Sequence, residues 1–413
     1  MSHGRSKGRC KSINKMLFFV FPAKYCHFTA TLPPVEIPDS LPQPLVSNTN
    51  GKIKTMPKVS FNNSERLFYS SLKLSVDEYF EKNHLKKTGN GSLYLKTLIL
   101  ISSAVAIYCI LLFVTMPAFA GILLSGLFGF ILACIGFNVM HDACHGSYSG
   151  NKLVNEIMGL TLNALGGNAF MWKFKHNILH HTYPNVDGID DDIEKSPFIR
   201  LCTTQKWLPL HRFQHMYVSL VYAITSVAWV FIMDFKKYFT QKVVNTPLQK
   251  MDSKEHVIFW TSKILYLFFY IAMPVYIVGW KHWAIGFISF NIVMGFTLAI
   301  VFQLAHVVEH VQFEHVGSND SIRIEDEWAI YQVKATADFA TSNKVISWFL
   351  GGLNFQVEHH LFPKISHVHY QGLNKILRQT CRQHHVAYNE FATIQKAIAS
   401  HYRMMKEFGK KPS

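Results

Sequence analysis

Residues 97–140 contain no Asp, Glu, Lys or Arg. A helix crosses the hydrocarbon core of a bilayer in about 20 residues, so a charge-free run of this length is two crossings. Pro117 marks the tight turn between them. A second pair covers residues 257–278 and 283–304, joined by Gly279-Trp280-Lys281-His282 with aromatics at the interface. The fold class that follows is an all-α integral membrane protein. Its four transmembrane helices, at about 97–115, 118–139, 257–278 and 283–304, form two hairpins. Lys263 falls within the third span, close enough to its end to snorkel. The remaining composition agrees: 49% of the 413 residues are hydrophobic and 16% charged. The net charge of +15 flanks the apolar segments, as the positive-inside rule expects. No nucleic-acid motif accompanies that charge, and no nucleic-acid partner is expected. Seven cysteines are scattered without a CxxC pair, which argues against a disulfide framework or a zinc–sulfur site.

Beyond these spans lie three clusters of histidine: HDACH (His141, His145), HNILHH (His176, His180, His181) and QVEHH (Gln356, His359, His360). Imidazole is a good ligand for iron, zinc and copper, and a pair at i, i+4 presents both rings from one helix face. His141/His145, His176/His180 and Gln356/His360 have that spacing, while His181 and His359 point roughly a quarter-turn away. One such pair is ordinarily a satisfied polar contact. Three in series predict a polynuclear metal site at a membrane surface. Seven box histidines exceed what one metal needs, so two metals are expected. His306, directly after the fourth span, is predicted to join them, with His310 one turn further on. Gln356 stands where a third histidine could be, and its amide oxygen could bind weakly or through water.

Residues 216–233 are uncharged and just long enough to cross. A fifth span would strand His359 and His360 on the far side from the first two clusters. Metal–imidazole bonds are about 2 Å long, so the clusters must meet; the segment is therefore expected to lie in the interface. Residues 1–55 read as a disordered extension, with Met56 a plausible start of translation, and residues 56–96 as a surface region with an amphipathic helix over 64–84. The membrane domain is expected over 97–395 and a basic tail over 396–413.

The order of the boxes, each pair of spans preceding the first and the third, resembles the membrane fatty acid desaturase family. The string GGLNFQVEHHLFP (residues 351–363) resembles its front-end, linoleoyl-type branch, and the likeness covers about residues 59–388. The resemblance implies a cytoplasmic helical cap holding a histidine-ligated di-iron site, with O2 as co-substrate and two electrons used to place a double bond in an acyl chain. Carried over by position, the ligands are His141, His145, His176, His180, His181, His306, His359 and His360. Glu309, Glu358, Asn177 and Asp190-Asp191-Asp192 are candidates to hydrogen-bond those ligands, although a solvated loop is the plainer reading of the aspartates. Trp172, Lys173 and Lys175 could receive a substrate headgroup, a phospholipid's or the phosphates of an acyl-CoA, or simply anchor at the interface. The chain lacks the HPGG haem motif of relatives fused to a cytochrome b5 domain. Its electrons are thus expected from a separate cytochrome b5 or a ferredoxin with its reductase. The implied location is a bacterial inner membrane or the endoplasmic reticulum, with boxes and both termini cytoplasmic. The rival readings are a di-iron lipid hydroxylase or ketolase on the same scaffold, and a membrane metal or haem transporter. The transporter predicts histidines lining a path through the spans.

Overall fold

The computed structural model describes residues 58–194, 197–317 and 320–412. The N-terminal extension and Met56 lie outside the described residues. Four helices among those described are long and apolar enough to cross a membrane: Gly91–Phe113, Ala118–His145, Ser253–Val278 and Trp280–His306. Each extends past its expected span at one end or both. The first starts at Gly91 because the Asn90 side chain caps it, accepting from the backbone N–H of Ser92 and Leu93, and because the Lys96 ammonium finds partners inside the protein. The second runs through the whole first box, so His141 and His145 ride on the end of a span.

The second and fourth spans form the central pair. A Cβ at Gly129 would lie 2.1 Å from the Phe290 carbonyl oxygen, so only glycine lets these backbones cross, as small residues do between membrane helices. Phe128, Leu132, Met294, Leu298 and Val301 pack around the crossing.

Residues 209–240 form two helical pieces, Pro209–Ala223 and Thr225–Thr240, bent by 61° at their junction. The second piece is held by Lys263. The sequence suggested that this lysine reaches for the interface; instead its ammonium is buried, 2.8 Å from Asp234 Oδ2, and donates to the carbonyls of Gly166 and Val230. An opposite charge within reach outweighs the pull of distant water.

On the box side, helix Leu67–Lys82 buries Phe68, Leu72, Val76 and Phe80, one stripe at i, i+4 spacing. That stripe packs on helix Tyr370–Gln383 and is an internal docking face, while Leu67 and Leu74 of the same helix stay exposed. Two short parallel pairings tie distant segments: Lys58–Phe61 with Ser321–Ile324, and Asp338–Phe339 with Glu390–Phe391. The segment read as a basic tail contains helix Ile394–Phe408, capped by Thr393 and burying Ala397, His401, Met405 and Phe408. His401 joins Tyr222 Oη (2.9 Å) to the Val307 carbonyl (2.7 Å), fastening this helix to the end of the fourth span.

Candidate metal centre

Each box sits where a helix departs from α geometry or ends. A π turn, Gly136–Met140, precedes His141 in the second span, and Gly146 at φ 75° stops the helix after His145. The second box is itself a π turn, Phe174–His180, closed by the His181 N–H donating to the His176 carbonyl. In such a turn residues five apart share a face. His181 is therefore not a quarter-turn from His176 as α spacing implied; their Nε2 atoms are 3.2 Å apart. The third box, on helix Gln356–Leu361, follows Gly351 and Gly352, whose φ of 58° and 68° few other residues adopt. A Cβ at Gly351 would lie 2.6 Å from the Phe137 carbonyl oxygen, so this glycine turn brings the third box against the π turn before the first.

All eight histidines converge. His145 is 9% exposed and the other seven less. The ligand atoms of His141, His145, His176 and His359 lie within 4.8 Å of one another, as do those of His180, His306 and His360. His181 lies between the groups, beside His176 and stacked on His360 with ring centroids 4.5 Å apart. The i, i+4 pair His141/His145 stays in one group, whereas the pair His176/His180 is split between the two, although both also lie within reach of Asp192. His176 serves one group and His180 the other, and the adjacent His359 and His360 separate likewise.

The opposite ring nitrogens are anchored. His180 Nδ1 is 3.0 Å from Asp190 Oδ2, His360 Nδ1 is 3.0 Å from Gln332 Oε1, and His359 Nδ1 is 3.0 Å from the Tyr370 hydroxyl. Carboxylate and amide oxygens only accept, so His180 and His360 carry their proton on Nδ1 and turn a bare Nε2 inward. The Nε2 atoms of His145, His180, His306, His359 and His360 are buried without a hydrogen-bond partner among the described residues. Orphaned buried acceptors destabilise a fold; a cation at each group satisfies them together. Burial first, then the neighbouring imidazoles, hold His176, His181, His359 and His360 well below the ordinary imidazole range. They are neutral, the form that binds metal. At His180 burial pulls the same way, but the charge and hydrogen bond of Asp190 outweigh it and raise the value. The residues fit metal ions.

Several predicted site residues lie elsewhere. Asp190 is buried, not solvated, and also accepts from the backbone N–H of Asn185 and Asp192. Trp172 is buried and stacks on His176 at 4.2 Å, so it walls the centre rather than meeting a headgroup. Lys175 is paired with Asp192 (2.6 Å) and Asp191 (3.4 Å); its charge is already matched. Lys173 is half-buried and makes no such pair among the described residues. Asn177 donates to the Cys144 carbonyl at 2.9 Å, joining the second box to the first. Gln356 is buried, and its Nε2 has no hydrogen-bond partner among the described residues. Glu309 turns away to Arg403, and that hydrogen bond holds its carboxyl low, at about 2. Glu358 accepts from Asn374 on the far side of its helix. His310 is exposed at φ 72° because the helix ends at His306, so the i, i+4 relation does not exist. Conversely, Tyr370, Gln332 and Asn185, which donates to the His306 carbonyl at 2.9 Å, carried no local signal.

Two apolar cavities, of about 450 and 580 Å³, open between the spans and share Tyr108, Phe128 and Tyr270; neither is lined by a box histidine.

Comparison with known proteins agrees with this geometry. The chain matches the fatty acid desaturase family over residues 82–392. It is 34% identical to an sn-1 linoleoyl-lipid 6-desaturase of Synechocystis sp., over 86% of this chain and 99% of that protein. It is 34% identical to a protein of the same description from Arthrospira platensis, over 87% and 96%. With an acyl-lipid (8-3)-desaturase of Physcomitrium patens it shares 34% over 83% and 72%. Box order, assembled histidines and a match spanning most of the sequence lead to one conclusion: the chain belongs to the fatty acid desaturase family.

Proposed function

We propose that this desaturase uses two irons, held by His141, His145, His176, His180, His181, His306, His359 and His360, to desaturate an acyl chain carried on a membrane lipid. The observation that carries the reading is the pair of buried histidine groups in which the Nε2 atoms of His145, His180, His306, His359 and His360 have no hydrogen-bond partner among the described residues. Bound iron would supply reductive activation of O2, with two electrons from a separate cytochrome b5 or ferredoxin. The protein's own part is positional. Asp190, Gln332 and Tyr370 orient the ligating rings, while Trp172 and Phe302, which packs on His141 and His176, keep water from them. The names of the cyanobacterial relatives favour a lipid-linked acyl group over acyl-CoA, and a new bond on the carboxyl side of an existing one. Lys173 is then the residue for the headgroup.

The boxes lie on the cytoplasmic side, where Lys and Arg gather. The bent segment rests in that interface. Leu210, Phe213, Met216 and Leu220 are exposed along its first piece and Ile224 at the junction, an apolar stripe suited to lipid.

The test is the fatty-acid profile of a desaturase-poor host fed linoleate, with an electron donor supplied and a His360→Ala control. A new double bond on the carboxyl side, absent from the control, is expected. Hydroxylated chains would transfer the protein to a sister chemistry, and no new lipid from iron-loaded protein would refute the reading.

A further inference from the structure

We propose that Lys96, His367 and Asp142 are positioning residues. They clamp the first box to the third and thereby shape one metal position, the one lined by His141, His145, His176 and His359. The inference rests on the metal reading above. Lys96 Nζ lies 3.2 Å from His367 Nε2, and His367 Nδ1 lies 3.0 Å from Asp142 Oδ2. Lys96 is 7% exposed, His367 7% and Asp142 1%. An ammonium has only donors, so His367 Nε2 accepts and its proton resides on Nδ1, donated to the carboxylate. A buried cation and a buried anion are thus matched through one imidazole of fixed tautomer. Asp142 Oδ2 also accepts from Ser366 Oγ at 2.6 Å and the His367 backbone N–H at 3.3 Å.

The three residues come from three places: the first turns of the first span, the first box, and the turn after the third box. Lys96 further donates to Asn138 Oδ1 (2.9 Å) and the Trp348 carbonyl (3.2 Å), and Asn138 Nδ2 donates to the Phe349 carbonyl at 2.8 Å. The chain is therefore pinned to the second span both before the third box, at residues 348–349, and after it, at His367. His359 lies between those pins, with its ring centroid 4.4 Å from that of His141. A slip of the third box against the first falls directly on this contact. The other group takes its orientation from Asp190, Asn185 and Gln332, none of which touches the clamp. Removing one member of such a matched set leaves a buried charge unmatched and costs stability, so iron is compared only among variants that stay monodisperse, where lost register is distinguishable from a lost fold.

The experiment is the iron content per chain of monodisperse, detergent-purified protein. His367→Gln retains an acceptor for Lys96 and a donor for Asp142; His367→Phe retains volume but neither bond. The expected result is a loss of about half the iron in His367→Phe and in Lys96→Met, with His367→Gln close to the unsubstituted protein. Full iron in His367→Phe, equal depletion in His367→Gln, or loss of all iron from monodisperse protein would each overturn the proposal. If His367→Phe is not monodisperse, Lys96→Met against Lys96→Arg decides on the same criteria. Absence of iron from the unsubstituted protein would instead refute the metal reading itself.

Discussion

Asp190 shows what a single buried carboxylate does at this centre. It fixes the tautomer of His180, raises the basicity of that ring, and caps the turn through the N–H groups of Asn185 and Asp192. Groups that orient metal-bound histidines this way are worth about 10–100-fold in metal affinity. Asp190→Asn is expected to weaken iron binding by about that factor in a chelator competition; unchanged affinity would show that the charge is dispensable. The seven box histidines could be found in the sequence because ligand spacing is a local property, and His306 because it follows directly on the fourth span. Their orienting partners could not. Nothing near Gln332 or Tyr370 in the chain marks them, and a run of three aspartates reads as solvated until its neighbours are known.

Among the elements, the π turns reassign the histidines. Helical spacing of 3.6 residues pairs His176 with His180, whereas a π turn aligns His176 with His181. The apolar windows located the four spans, but their ends followed caps and partners, notably Asn90 and Lys96. The bent segment depends on the Lys263–Asp234 pair, whose side chains are 5% and 2% exposed. Removing one member leaves a buried charge unmatched, at a cost of about 3–5 kcal/mol. Asp234→Ala should therefore lower the melting temperature in detergent substantially, and Asp234→Leu with Lys263→Met should recover most of it. A double variant no better than the single would show that the pair is not what stabilises the bend.

For the molecule as a whole, an even number of spans brings three boxes far apart in sequence to one surface. The proposed orientation places Lys281, in the second hairpin's turn, and Lys364, just after the third box, on opposite faces; both are exposed. With a membrane-impermeant thiol reagent on intact cells, Lys281→Cys is expected to label and Lys364→Cys only after permeabilisation. Labelling of both from one side would overturn the topology. The sequence by itself determined the membrane class, the four spans and the box histidines, since hydrophobic run length and ligand spacing are written within a few turns of chain. Only the tertiary structure decided how those histidines divide into two groups, what orients them, and how the buried charges of Lys96 and Lys263 are matched. Those answers depend on partners such as Lys96 and His367, 271 residues apart. Such pairs exist only once the apolar faces have packed, because a buried charge or an oriented imidazole takes its energy from the group facing it, not from its neighbours along the chain.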